Sequence, residues 1–191
     1  MIRSDGKPWP SNYFAKRWHR LWNHLLQLLV REVEIIDEEW RYRFQCKSLL
    51  ELKRCMKFFI LEPGTIEWIR NEVCPGDVFY NIGANIGILT IFAAYHTGES
   101  GKVFAFEPHS ANFARLLQNI DGNKLQHIII PCNFALHDEQ GYFPFNYCSS
   151  KAGSSDSQLS SVRGAFDAQY QSDITELKYA VSNSPVLCDH K

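Results

Sequence analysis

Apolar residues recur every three or four positions between residues 14 and 36, which predicts a helix there. Its apolar face consists of Phe14, Trp18, Leu21, Leu25, Leu29, Val33 and Ile36. Basic residues concentrate in the first half of this helix and acidic residues in the second half. Because anionic lipid would repel the acidic half, the pattern favours packing on the folded chain over binding to a membrane surface.

Shorter elements follow this predicted helix. The segment "RYRFQC" (41–46) is strand-like, and helical patterns cover residues 49–61 and 65–73. The tripeptide "EPG" (62–64) separates the two helices, and Thr65 is placed to cap the second one.

Short apolar strands then alternate regularly with helices. The strands are predicted at 77–82, 101–107 and 127–136, and the helices at 85–96 and 110–120, the latter capped by Ser110. Such an alternation with nearly continuous apolar strands is typical of parallel βαβ units. The predicted fold class is therefore α/β, with a Rossmann-like parallel sheet.

The alternation ends after Gly141. An exposed edge strand is predicted at 142–147, where Pro144 cannot donate to a neighbouring strand. Residues 149–161 are rich in serine and predict a mobile loop, and residues 173–181 predict a helix.

Composition narrows the class of protein. The chain has 191 residues and a formal charge of −1, so no overall field attracts nucleic acid. Its six cysteines form no C-x-x-C pair and its histidines show no metal-binding spacing, which disfavours a metal site and a disulfide framework. The apolar runs are shorter than the ~18 residues of a membrane span, and the first residues lack a signal-peptide core. We therefore expect a reduced, cytoplasmic protein.

A glycine loop follows the first parallel strand in the segment "NIGANIGILT" (81–90). A dinucleotide loop of the form G-x-G-x-x-G would need glycine at Asn85 and Ile88 if it started at Gly83. The observed spacing, Gly83-x-Asn85-x-Gly87 with the small Ala84 inside, suits a less bulky group than a pyrophosphate. Asn85 is placed to open and cap the following helix.

Polar residues also follow the next two strands. Glu107 ends the second strand, where a carboxylate can accept both hydroxyls of a ribose. Asn133 lies where the third strand ends and could face an adenine edge. Because ligands bind at the carboxyl ends of parallel strands, the three features together predict a nucleoside without a pyrophosphate. S-adenosylmethionine is such a ligand. The alternative for the two glycines is a tight turn required only for packing.

Three segments together resemble the FkbM-type family of class I S-adenosylmethionine-dependent methyltransferases. They are "GDVFYNIGANIG" (76–87), "FAFEP" (104–108) and "NFALHDEQG" (133–141), and the resemblance covers about residues 61–144. It implies a doubly wound sheet and methyl transfer to a hydroxyl oxygen, on a small natural product or a sugar.

The resemblance also implies roles for individual residues. The loop from Asn81 to Gly87 would line the methionine and ribose side of S-adenosylmethionine, Glu107 would hold the ribose, and Asn133 would lie near the adenine. Asn81 stands where the family generally has aspartate, so it lacks the negative charge that would face a cationic ligand, and weaker binding is expected.

A second departure concerns the length of the resemblance. The D-x-E-G pattern that follows the family's fourth core strand does not occur in this sequence. We therefore expect a helical extension at 1–62 and a partial methyltransferase domain at 63–191, with an incomplete C-terminal half. The strand at 77–82 would then have an open edge.

Several functional alternatives remain open at this point. The chain could be an active enzyme, a cofactor-binding or inactive fragment, or a nicotinamide-dependent dehydrogenase domain, which Asn85 and Ile88 disfavour. His109 and His137 lie near strand ends and are weak candidates for a catalytic base.

Overall fold

The structure, a computed structural model, describes residues 32–155, 157–159 and 175–182. Residues 14–31 of the first predicted helix lie outside this range. The last part of that prediction is wrong, because Glu32–Asp37 forms strand β1, paired antiparallel with strand β2 (Trp40–Gln45). Val33 and Ile35 face Phe44 and Tyr42 across the hairpin, whereas Ile36 is 59% exposed. Side chains in this segment therefore alternate between two faces, as in a strand, although its apolar residues also fit a helical spacing.

Three helices follow the hairpin, where two were predicted. Helix α1 is Leu49–Met56, α2 is Phe58–Leu61 and α3 is Pro63–Glu72. The α3 helix begins two residues before the expected cap at Thr65, because Pro63 is well suited to the first position of a helix. The Ser48 side chain caps α1 by accepting a hydrogen bond from the Glu51 amide.

A three-stranded parallel sheet forms the centre of the described chain and confirms the α/β prediction. Its strands lie in the order β3-β4-β5, and helices α4 and α5 connect them. The elements are β3 (Val78–Ile82), α4 (Ile88–Thr97), β4 (Lys102–Phe106), α5 (Ser110–Gly122) and β5 (Ile129–Cys132).

A second sheet follows the parallel one in sequence and has the order β6-β9-β7-β8. Its strands are β6 (Ala135–His137), β7 (Gly141–Asn146), β8 (Gln158–Leu159) and β9 (Thr175–Ser182). The helix predicted at 173–181 is therefore wrong. Lys178 and Ala180 are buried while Tyr179 between them is less so, which is the alternation of a strand. The predicted edge strand is β7, but it lies between β9 and β8.

The hairpin and the parallel sheet share one hydrophobic core. Tyr42 of β2 packs its ring against Phe58 and Phe92, which come from α2 and α4. The buried Asn119 of α5 accepts a hydrogen bond from the Gln45 amide and donates one to the Ile86 carbonyl. The N-terminal extension, predicted to be helical over residues 1–62, is thus a hairpin with short helices in its described part. The domain boundary at residue 62 stays a prediction.

Strand β3 lies at the outer edge of the parallel sheet among the described strands, as expected from the sequence. Val78, Tyr80 and Ile82 are exposed on one of its faces. Within the described ranges, no helix is both long enough and apolar enough to cross a bilayer.

Candidate functional site

The glycine loop joins β3 to α4 and is fixed to the end of β4. The amides of Gly83 and Ala84 both donate to the Phe106 carbonyl, each at 2.9 Å. Gly83, Asn85 and Gly87 have positive φ angles of 78°, 53° and 91°. Glycine adopts this left-handed region readily and asparagine tolerates it, which explains these residue types. The loop therefore brings its backbone close to the carboxyl end of β4.

The two glycines of the loop have different surroundings. A Cβ atom on Gly83 would meet no atom within 4 Å, because this residue faces a cavity. A Cβ atom on Gly87 would lie 2.5 Å from Cδ1 of Leu116 in α5. Close packing thus explains why residue 87 is glycine, whereas the backbone of Gly83 is open to a ligand.

Asn85 connects three parts of the site. Its amide nitrogen donates to Oε2 of Glu107 at 2.6 Å, and its Nδ2 donates to the Ser154 carbonyl at 2.7 Å. Its Oδ1 accepts from the Ile86 amide at 2.9 Å. Gly87, rather than Asn85, precedes the first residue of α4, so the predicted capping role of Asn85 is wrong.

Glu107 is buried at the end of β4, with 5% of its surface exposed. The second oxygen of its carboxylate, Oε1, accepts from the His109 amide at 2.8 Å. Burial raises the pKa of Glu107, and the two amide donors oppose that rise by stabilising the charged form. Backbone groups from both neighbouring loops therefore hold this carboxylate in place.

Asn133 follows β5, as expected, but its side chain supports the strand end. Its Nδ2 donates to the Glu107 carbonyl at 2.8 Å, and its Oδ1 accepts from Nζ of Lys178 at 3.4 Å. The residue does not line the two cavities described below.

His109 has a structural role at the start of α5. The fully buried ring accepts from the Asn112 amide at Nδ1, and its Nε2 lies 2.7 Å from the Ser149 carbonyl. Because a carbonyl only accepts hydrogen bonds, Nε2 is the donor to Ser149, while Nδ1 is the acceptor from Asn112. His109, not the predicted Ser110, is the capping residue of α5.

His137, the other candidate base, lies in β6. Its ring packs against Phe143 with centroids 4.4 Å apart. The residue lines neither of the cavities described below.

Residues 149–155, here named the serine strap, are hydrogen-bonded into the site. The Asn112 side chain donates to the Ser154 carbonyl at 3.1 Å and accepts from the Gly153 amide at 2.8 Å. Nε of Arg54 donates to the Gly153 carbonyl. This part of the predicted mobile loop is thus bound to the glycine loop, to α5 and to α1.

Two cavities adjoin the strap and share Gly83, Asn85 and Ser155. The Glu107 cavity has a volume of about 210 Å³, and its further lining residues include Glu107, Pro108, His109, Asn112 and Phe145. The Asn81 cavity has a volume of about 220 Å³, and its further lining residues include Arg54, Phe58, Glu62, Asn81, Ala84 and Leu89. Of the seven predicted site residues, Asn81, Gly83, Ala84, Asn85 and Glu107 line these cavities.

Sequence reasoning missed the contributions of the N-terminal helices and of the strap. Arg54, Phe58 and Glu62 reach the site from α1, α2 and the start of α3. These residues follow no motif, and only tertiary packing brings them close to the glycine loop. Among the described residues, no group of three or more His, Cys, Asp or Glu side chains is arranged to hold a metal.

Comparison with known proteins shows several methyltransferases that are similar to this chain. A 31-O-demethyl-FK506 methyltransferase FkbM from Streptomyces tacrolimicus is 39% identical over 71 residues, which are 37% of this chain. The matched part spans 26%, about a quarter, of that relative.

Two solved structures show weaker similarity. An S-adenosylmethionine-dependent O-methyltransferase from Thermotoga maritima is 21% identical with a TM-score of 0.38, covering 56% of this chain and 43% of that one. TYW2 from M. jannaschii, in complex with AdoMet, is 21% identical with a TM-score of 0.37, covering 56% of this chain and 48% of its own. Because these TM-scores are low, the fold is assigned from the strand order described above and not from these similarities.

The chain also matches a model of a whole protein family. A family model described as the methyltransferase FkbM domain matches residues 81–180, which include the glycine loop, Glu107, Asn133 and the serine strap. Because this match covers just over half of the chain, the protein belongs to the FkbM methyltransferase family.

Proposed function

We propose that this chain binds S-adenosylmethionine and transfers its methyl group to a hydroxyl oxygen of a small natural product or a sugar. The observation that carries the proposal is the buried Glu107 carboxylate, which shares one cavity with the open backbone of Gly83. Family membership and the AdoMet complex of a similar structure support the same cofactor.

The Glu107 cavity fits the ribose of such a cofactor. An ionised carboxylate offers about four lone-pair positions. The amides of Asn85 and His109 use two of them, and the Asn112 side chain also hydrogen-bonds to this carboxylate. The two ribose hydroxyls would take the remaining position and the one that Asn112 uses. Since the amide donors already hold the carboxylate in place, little freedom is lost when the ribose binds.

The Asn81 cavity shares Asn85 with the Glu107 cavity and fits the methionine part of the cofactor. Each cavity alone is smaller than the roughly 300 Å³ at which ligand pockets usually begin. A ligand that spans both has to pass Ser155, which lines the two cavities. We therefore propose that cofactor binding shifts the Ser154–Ser155 part of the serine strap away from Asn85.

When bound, S-adenosylmethionine supplies an electrophilic methyl group on a cationic sulfur. The contribution of the chain is to orient the cofactor through Glu107 and the glycine loop, which includes Asn81. His109 is not proposed as the base, because its ring nitrogens accept from the Asn112 amide and donate to the Ser149 carbonyl.

A second candidate function is cofactor binding without methyl transfer. The Asn81 side chain favours it, because Nδ2 donates to Oγ1 of Thr90 at 2.8 Å and the residue places no negative charge in its cavity. This candidate predicts that the chain binds S-adenosylhomocysteine but transfers no methyl group. It shares the cofactor site with the main proposal and differs only in turnover.

Replacing the proposed ribose ligand tests the cofactor site. Glu107→Ala removes charge-assisted hydrogen bonds, so we expect S-adenosylhomocysteine to bind more weakly by about 1.5–3 kcal/mol in calorimetric titrations. Glu99→Ala is the matched control, because Glu99 is exposed and precedes β4 at the opposite end of the sheet. Thermal unfolding of both variants checks that they are folded.

An unchanged affinity in a folded Glu107→Ala variant would remove this residue from the site. Equal losses in the Glu107→Ala and Glu99→Ala variants would show a general effect of charge instead of a ribose contact.

A further inference from the structure

A cleft around the start of α1, here named the Arg115 cleft, has a volume of about 390 Å³. Residues from the start of α1, from α5 and from the serine strap line it. None of its described lining residues also lines the Glu107 cavity or the Asn81 cavity. The proposed cofactor site therefore does not account for this cleft.

The Arg115 cleft has an excess of positive charge. Among the described residues that line it, the charged ones are the cationic Lys47, Arg115 and Lys151 and the anionic Glu51. Lys47 and Lys151 are exposed, and neither ammonium group forms a hydrogen bond or an ion pair within the described ranges. The lining thus carries two net positive charges, which favour an anionic ligand.

The carboxylate of Glu51 is already bound by its neighbours. It is almost fully buried, and its Oε1 lies 2.5 Å from Nε of Arg115. Its Oε2 accepts from the Lys47 amide at 2.8 Å. Because Arg115 neutralises this carboxylate at short range, Glu51 repels an anion in the cleft less than a free glutamate would.

Arg115 keeps one donor nitrogen for a ligand. The residue is 7% exposed, and its Nε and Nη1 are hydrogen-bonded to Glu51 and Gln118. Among the residues that the structure describes, Nη2 has no acceptor. Because buried donors are as a rule hydrogen-bonded, Nη2 is suited to bind an acceptor atom in the cleft.

The first turn of α1 adds to this positive potential. Leu49 and Leu50 are the first two residues of the helix, and amides at these positions have no acceptor within it. The partial positive charge of a helix N-terminus favours an anion nearby. Leu49, Leu50 and Ala152 also make part of the lining apolar. The cleft therefore suits an anionic group that is joined to a small apolar group.

We propose that the Arg115 cleft binds the phosphate group of a small phosphomonoester. Such a group carries about −1.5 to −2 charges near neutral pH and has three strong acceptor oxygens. It therefore matches the two net positive charges of the lining and the donors of Lys47, Arg115 and Lys151. A carboxylate or a sulfate ester carries a single charge and matches them less well. The inference goes beyond the proposed function and does not depend on it, because it concerns a different set of residues.

Phenyl phosphate and phenyl sulfate test the inference on the 191-residue chain, because the two ions have similar shapes and differ in charge. Calorimetric titrations at constant ionic strength are made well above the second phosphate pKa of about 6. We expect phenyl phosphate to bind at one site per chain, with a Kd at least about 5-fold lower than that of phenyl sulfate. Inorganic phosphate should bind more weakly than phenyl phosphate, because it lacks the apolar group.

Replacing the two exposed lysines locates the site. The double variant Lys47→Met, Lys151→Met should raise the Kd of phenyl phosphate by about 5-fold or more. The matched control is Lys53→Met, Lys57→Met, which removes two exposed charges outside the cleft and should change this Kd by less than about 2-fold. Arg115→Lys keeps the charge without Nη2, so it should also weaken phenyl phosphate binding. Thermal unfolding verifies that each variant is folded.

The outcomes separate this inference from the proposed function. If the unmodified chain does not bind phenyl phosphate, or binds phenyl sulfate equally well, the inference is overturned while the proposed function stands. Equal losses in the two double variants also overturn it, since they would reflect a general attraction of anions to the chain. Tighter binding of inorganic phosphate than of phenyl phosphate would contradict a site for an ester. If phenyl phosphate binds as expected and S-adenosylhomocysteine does not bind, the proposed function fails and the inference stands.

Discussion

At the scale of single residues, Glu107 experiences two opposing effects. Its burial disfavours the charged carboxylate, whereas the amides of Asn85 and His109 favour it, and the net result is a raised pKa. A buried carboxylate with donors on both oxygens is also a strong acceptor for hydroxyl groups. The same surroundings therefore make Glu107 sensitive to pH and suited to ribose.

This raised pKa predicts how cofactor affinity depends on pH. As the pH falls through the pKa of Glu107, the carboxylate takes up a proton and loses its charge-assisted hydrogen bonds to the ligand. The affinity for S-adenosylhomocysteine should therefore rise with pH above the ordinary glutamate range and level off once Glu107 is ionised. Calorimetric titrations across this range measure the effect. Glu107→Gln should bind weakly at every pH, and an equally steep pH dependence in that variant would contradict the assignment.

The raised pKa of Glu107 makes the free energy of unfolding depend on pH in the opposite direction from cofactor affinity. In this pH window the folded chain holds a proton on Glu107 more often than the unfolded chain does, because the pKa is raised only on folding. The contribution of Glu107 to the free energy of unfolding should thus decrease as the pH rises through the window.

The sequence predicted site residues at this scale from backbone geometry and charge. Gly83, Asn85 and Glu107 line one cavity, and their role in cofactor binding stays a prediction. The different role of Gly87 could not be predicted, because it depends on Leu116, which lies 29 residues further along the chain and contacts it only in the folded state. The capping role of His109 was missed because histidine is not among the usual capping residues.

At the scale of elements, a buried ion pair joins α1 to α5. Oε1 of Glu51 lies 2.5 Å from Nε of Arg115, and both side chains are almost fully buried. The other oxygen of Glu51 accepts from the Lys47 amide at 2.8 Å. Since Arg54 lies on α1 and Asn112 on α5, this pair fixes the two helices that hold the serine strap.

Breaking this pair should lower the stability of the whole chain. Arg115→Met leaves the Glu51 carboxylate buried without its partner, so the free energy of unfolding should fall by about 3–5 kcal/mol in denaturant titrations. Arg43→Met is the matched control, because Arg43 is an exposed partner of Glu34 and its loss should change stability by about 1 kcal/mol or less.

The double variant Glu51→Met, Arg115→Met should recover much of the loss, since no unpaired charge then remains buried. If Arg115→Met changed stability no more than Arg43→Met does, the pair would not be a determinant of folding.

The elements themselves were predicted best where apolar runs are continuous. The three parallel strands and the helices between them follow directly from such runs. Two segments predicted to be helical form strands instead, Glu32–Asp37 and Thr175–Ser182, and both mix charged and apolar residues. Both pair with neighbouring strands, and strand pairing outweighs a weak helical pattern.

At the scale of the whole molecule, the N-terminal hairpin, the parallel sheet and the serine strap form one connected structure. The hydrophobic core extends from Tyr42 and Phe58 to the glycine loop at Ala84 and Ile86. Side chains from the N-terminal helices complete the Asn81 cavity. The glycine loop and the serine strap thus line both cavities, while the N-terminal helices add residues to the Asn81 cavity.

The central claim is that the two cavities together bind a nucleoside that lacks a pyrophosphate. Calorimetric titration of the 191-residue chain with S-adenosylhomocysteine and, separately, with NAD tests it most directly. We predict saturable binding of S-adenosylhomocysteine at one site per chain, and no detectable binding of NAD because Asn85 and Ile88 replace the glycines of a dinucleotide loop. Binding of NAD in the absence of S-adenosylhomocysteine binding would contradict the account.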